Sequence, residues 1–108
     1  MSLSALPTMV MGLKDILFFW RAKEDPEAAR RQWLLRRGRI TEGMITDIET
    51  AADGTAAHIF YHYTISNSDF DSSQELLGEQ LAQLARYSPG NTVSVRYNPH
   101  QPGNSFVP

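Results

Sequence analysis

Two histidines four residues apart, His58 and His62, are the first candidates for chemistry in this chain. On a helix that spacing stacks the two imidazoles and suits a divalent metal. On a strand the rings share a face but stand about 13 Å apart, at ~3.3 Å per residue, and cannot clasp one ion. The residues around them alternate as a strand does. They are therefore expected to be surface histidines facing Glu49 and Ile45, with no metal between them. Serines, acids and histidines could in principle assemble a nucleophilic triad. The chain has, however, no nucleophile elbow, Gly-rich phosphate loop, paired-carboxylate motif or dinucleotide fingerprint. Cysteine is absent, which removes disulfides, thiolate zinc sites and cysteine nucleophiles. The expectation is a protein that is not an enzyme, with no cofactor and no metal.

Nucleic-acid chemistry fares no better. Tyr61 and Tyr63 could imitate a base-stacking platform, but they alternate with Ile59 and Ile65 and belong to a core face. Arg30, Arg31, Arg36, Arg37 and Arg39 could meet a phosphate backbone, although five arginines on a helix end are more often a solvated face. Residues 40–108 carry eight acids against two arginines, which repels phosphate, whereas residues 1–39 hold eight of the ten basic residues. That asymmetry fits either two halves that attract each other or a basic arm meeting an anionic surface. The partners expected are a membrane surface or a second copy of the chain, with no nucleic acid and no known small molecule.

The segment that carries this expectation is N-terminal. Leu13, Ile16, Leu17 and Trp20 fall at helical spacing over Leu13–Lys23, and Phe18 and Phe19 widen the stripe. Followed by Arg21 and Lys23, it has the make-up of an interfacial helix with basic headgroup contacts. The same stripe could instead pack on the rest of the chain or across a homodimer. It is no membrane span, because Pro7, Lys14 and Asp15 interrupt Leu3–Trp20 and a span needs about 20 predominantly apolar residues. Nor does it have a signal peptide's basic leader and cleavage site. Met1-Ser2-Leu3 resembles a vector-derived leader, as expected of a soluble piece excised from a longer protein.

The remaining elements read clearly. At 108 residues there is room for one core, organised as an N-terminal helical segment over 1–38 and a β-module over 39–108. Asp25-Pro26-Glu27 starts a helix with an N-cap, a first-turn proline and a first-turn acid. It runs to Arg36 and Arg37 and stops at Gly38. Asp53-Gly54 predicts a two-residue type I′ hairpin turn. That centre pairs Ala52 with Thr55, Ile48 with Ile59, Thr46 with Tyr61 and Met44 with Tyr63. One face is then Met44, Thr46, Ile48, Ile59, Tyr61, Tyr63 and Ile65; the other is Ile45, Asp47, Glu49, His58, Phe60 and His62. A turn at Ser66-Asn67 pairs Tyr63 with Phe70 on a third strand. Ser72 and Glu75 have capping-box spacing and predict a helix carrying Leu77, Leu81, Leu84 and Ala85. Pro89-Gly90 then turns the chain into a strand over Asn91–Asn98, and Asn104–Val107 is the last strand. The fold class is α+β: N-terminal helices, then a bent antiparallel sheet or small open β-barrel of about five strands with one inserted helix.

Gly43-Met44-Ile45, Phe60-Tyr61-His62-Tyr63-Thr64-Ile65, the tight turn from Ser66 to Phe70, and Tyr87-Ser88-Pro89-Gly90 are recognisable in order. With Val93-Ser94-Val95-Arg96-Tyr97-Asn98-Pro99 and Pro102 they resemble the bacterial domain-of-unknown-function 3592 family over about residues 39–107. The resemblance implies a small β-module beside transmembrane helices, hence a membrane-associated location, with a cytoplasmic one as the alternative. It implies no activity. Three functional readings stand: a non-catalytic membrane-proximal interaction module, a soluble scaffold dimerising through its N-terminal helices, and a ligand-binding barrel.

Overall fold

In the computed structural model, residues 25–108 are described. Helix α1 (Pro26–Arg37) begins where the sequence places it. The Asp25 carboxylate accepts the backbone N–H of Glu27 (3.1 Å) and Ala28 (3.2 Å), satisfying donors that the first turn leaves orphaned. Its end is set by crowding rather than by a left-handed residue. Gly38 has no positive φ; its N–H donates to the Leu34 carbonyl at 2.9 Å, and a Cβ there would collide with that oxygen.

Residues 34–108 form one compact unit. It contains five antiparallel strands: β1 (Arg39–Thr50), β2 (Ala57–Ile65), β3 (Ser68–Glu75), β4 (Thr92–Asn98) and β5 (Gln101–Phe106). Their order in the sheet is β3-β2-β1-β4-β5, curled into a nearly closed barrel. The β1–β2 hairpin keeps the expected register near its loop, with Ile48 opposite Ile59 and Glu49 opposite His58. The loop itself differs. Pairing ends at Ala51 and Ala56, Gly54 N–H donates to Ala51 O at 2.9 Å, and Gly54 alone there has positive φ (+75°). Asp53 instead accepts from the Thr55 N–H (3.0 Å) and hydroxyl (2.7 Å), so four residues turn the chain where two were expected.

Farther along, a bulge corrects the expected faces. Asp47 opposes Phe60 and Ile45 opposes Tyr61, which leaves Thr46 as an extra residue in β1. Beyond it Ile45 is fully buried and Met44 is 45% exposed, the reverse of strict alternation. The physical reason lies in the spacing of the apolar residues. Ile45 and Ile48 are three apart, so both can face inward only if one residue is taken out of the two-residue period. Gly43 also turns inward, against Tyr63 and Val93, where a Cβ would come within 2.7 Å of the Val95 side chain.

At the second turn the expectation holds. Ser66 (φ 50°) and Asn67 (φ 69°) both adopt the left-handed region, and Tyr63 opposes Phe70. The capping box at Ser72 and Glu75 does not form, because β3 runs through both residues. The register of the turn continues as Tyr61 opposite Ser72 and Ile59 opposite Gln74. The helical stretch is a 3₁₀ segment over Gly78–Tyr87, broken at Gln83 (φ −128°, ψ 47°). Its changed period leaves Leu77 and Ala85 exposed, while Leu81 and Leu84 pack against the core. β4 presents Val93, Val95 and Tyr97 inward as expected, and β5 starts three residues earlier than the expected Asn104.

Tyrosines fill the barrel. Tyr61, Tyr63, Tyr87 and Tyr97 are buried with Ile45, Ile59, Leu76, Val95 and Val107. The rings of Tyr61 and Tyr63 stack at 5.9 Å between centroids, and those of Tyr63 and Phe70 at 5.4 Å. Their hydroxyls reach across to β5: Tyr61 to the Ser105 hydroxyl at 2.9 Å, and Tyr63 to the Pro102 carbonyl at 2.6 Å. A buried hydroxyl needs such a partner.

Candidate functional site

The interface residues expected from the sequence, Leu13, Ile16, Leu17, Phe18, Phe19, Trp20, Arg21 and Lys23, lie outside the described residues. So does the helix expected over Leu13–Lys23.

The two histidines stand on the outer face of β2, as their alternation requires. His58 opposes Glu49, and its ring tilts against Phe60 at 5.3 Å. His62 opposes Met44 rather than Ile45, because the bulge has shifted β1 by one residue. It is instead engaged by β3. Its Nδ1 lies 2.8 Å from an Asp71 carboxylate oxygen and its Nε2 lies 3.4 Å from Asp69, which also accepts from the Thr64 hydroxyl at 2.8 Å. The Asp71 hydrogen bond, helped by both negative charges, raises the His62 pKa above 6.5 against the opposing effect of desolvation. The arrangement stabilises an imidazolium, not a neutral base. Among the described residues no group of three or more His, Asp or Glu side chains is placed to hold a metal ion.

An open groove of about 570 Å³ lies beside the start of β1 and β4, lined among others by Ile40, Thr41, Glu42, Arg86, Tyr87 and Val107. Arg86 lies 5.9 Å above the Tyr87 ring and donates to the Gln83 side chain at 2.7 Å. The groove brings together one arginine, the Glu42 carboxylate, the hydroxyl-bearing Thr41, Thr92 and Ser94 and a few apolar side chains, without a histidine. It offers a charged seat but no acid–base pair positioned on a nucleophile.

The groove adjoins the α1–β1 junction through Ile40, which belongs to both. Leu35 is 40% exposed and Ile40 59% exposed, and Arg36, Arg37 and Arg39 between them are exposed too. Arg96 opposes Ile40 across the sheet and extends Nη1 to 3.5 Å from the Gly38 carbonyl. Sequence reasoning named these junction arginines but missed their company: Arg96 is 56 residues beyond Ile40, and only the β1–β4 register joins them. Among the described residues no helix is long and apolar enough to cross a membrane.

No curated protein and no solved structure matches the chain. A family profile does, across residues 37–108, which take in all five strands and the tyrosine core. On that match the chain belongs to the DUF3592 family, a domain of unknown function.

Proposed function

We propose that this protein is a non-catalytic interaction module that works beside a membrane. The observation that carries the reading is the occupied interior of the barrel. The aromatic side chains that would line a carrier's cavity are packed against one another, with Tyr61 and Tyr63 spending their hydroxyls on β5. Recognition is thereby left to the outer surface. That surface includes exposed apolar side chains beside Arg36, Arg37 and Arg39, which form no ion pair among the described residues, a combination suited to the boundary between water and lipid. The N-terminal stripe from Leu13 to Lys23 would add a second attachment of the same kind.

Co-sedimentation of the full chain with phospholipid vesicles tests this reading, alongside sedimentation analysis of its mass. Retention on vesicles by a monomer is the expected result. A mass that rises with concentration and no retention on vesicles would favour the dimerising scaffold instead.

A further inference from the structure

We propose that the α1–β1 junction, built from Leu35, Arg36, Arg37, Arg39, Ile40 and Arg96, is the surface by which the module lies on an anionic lipid headgroup layer. This rests on the membrane-proximal reading above and names its contact and its lipid chemistry. Four of the five arginines in residues 34–108 gather here, and of the eight acids of the same unit Glu42, two residues beyond Ile40 on β1, borders them. Among the described residues Arg36, Arg37 and Arg39 have no ion-pair partner. Glu42 is the nearest acid in sequence; it opposes Ser94 on the sheet.

Charge is also separated along the strand that leaves the junction. β1 has twelve residues, about 40 Å at ~3.3 Å each. Arg39 is its first residue, with Arg36 and Arg37 just before it; Glu42 is the one acid of β1 near this end, while Asp47 and Glu49 lie toward its last residue and Asp53 in the loop beyond. A negatively charged plane therefore attracts one end of the module and repels the other, which orients it before contact. Leu35 and Ile40 then decide between anionic partners. Two exposed aliphatic side chains bracketing the arginines can enter the acyl boundary. Against a nucleic-acid backbone they have nothing to pack on, and the acidic remainder of the unit opposes a polyanion that wraps it.

The experiment measures binding of the full chain to phosphatidylcholine vesicles with and without about one-third phosphatidylserine, a mixture that gives the surface a negative potential. The native chain is expected to bind the anionic vesicles more tightly, and the difference is expected to shrink with added salt. Arg36→Gln with Arg37→Gln is expected to weaken anionic binding about 25-fold, roughly fivefold per arginine. Arg36→Lys with Arg37→Lys should retain it, since a headgroup layer reads charge and not fork geometry. Leu35→Ser with Ile40→Ser should weaken binding to both vesicle types. An undiminished affinity in the double Gln variant overturns this surface, and the membrane-proximal reading survives because the chain remains on lipid. Failure of the native chain to bind either vesicle overturns both. Tighter, arginine-dependent binding to duplex RNA than to anionic vesicles overturns the lipid assignment in favour of nucleic acid.

Discussion

Gln74 and Val107 close the barrel by exchanging two hydrogen bonds. The Gln74 side-chain N–H₂ donates to the Val107 carbonyl, and the Val107 N–H donates to the Gln74 side-chain oxygen, each at 2.8 Å. Both residues are buried. A side-chain amide here does what a neighbouring strand does elsewhere in the sheet, meeting one backbone donor and one acceptor at once. Gln80 adds a third bond to the same carbonyl at 3.0 Å.

Gln74→Ala should therefore be costly for a polar residue. It strands the Val107 N–H in a buried seam, at about 1–3 kcal/mol, and opens a cavity as well. Gln80→Ala should cost less, because Val107 keeps both Gln74 bonds. Denaturant unfolding of the two variants checks the order; equal costs would show that the seam is not held at Gln74.

The bulge at Thr46 makes a second ordering. Ile45→Ala should cost about 2–4 kcal/mol as a core truncation, and Met44→Ala under about 0.5 kcal/mol. Tyr61→Ala and His62→Ala should repeat the contrast on β2, with Tyr61 at about 3–5 kcal/mol. A costly Met44→Ala beside a harmless Ile45→Ala would mean that β1 alternates strictly and the bulge is absent.

His62 should titrate above 6.5. A histidine whose folded pKa is raised adds stability that is fully present below its unfolded value and is lost as pH rises through the folded one. The melting-temperature advantage of the native chain over Asp71→Asn is therefore expected below pH 6.5 and should fade at higher pH. An imidazole NMR titration should show the His62 midpoint moving back toward 6.5 in Asp71→Asn. No movement would remove Asp71 as the cause.

Glu27 gives the opposite sign. Its hydrogen bond with Arg30, joined by Arg31 and set against desolvation, lowers its pKa from 4.5 to about 2. The contacts behind it are short, 2.8 Å to Arg30 Nη2 and 2.6 Å to Arg31 Nε. A depressed carboxylate stabilises above its unfolded pKa and loses that contribution as pH falls through the folded value. The helical signal of the native chain should thus exceed that of Glu27→Gln at neutral pH, with the gap closing between 4.5 and about 2. A gap that is constant across that window would show that the pair does not support α1.

Removal of residues 1–24 should leave the β-module folded and weaken vesicle binding without abolishing it, since the α1–β1 junction remains. Circular dichroism and co-sedimentation read the two outcomes. Unfolding of the shortened chain would place the N-terminal stripe in the core and end its role as an interface.

Much of the barrel is legible in the sequence because turns act locally. Ser66-Asn67 tolerates the left-handed backbone of its turn, so Tyr63 opposite Phe70 follows from two residues. The alternation of Val93, Val95 and Tyr97, and the start of α1 at Asp25-Pro26, are equally short-range. Tertiary structure decided what depends on distant partners. Strict alternation read Ile45 as exposed, and only the demand of the closed core for both Ile45 and Ile48 placed the bulge at Thr46. Ser72 and Glu75 read as a helix cap because that spacing is right for one, yet β2 offered β3 a ladder that no local signal could outweigh. Extending the Tyr63–Phe70 register by four residues would have put Gln74 opposite Ile59, facing inward. Its partner, Val107, is 33 residues away, and that meeting exists only once the sheet has curled far enough to need closing.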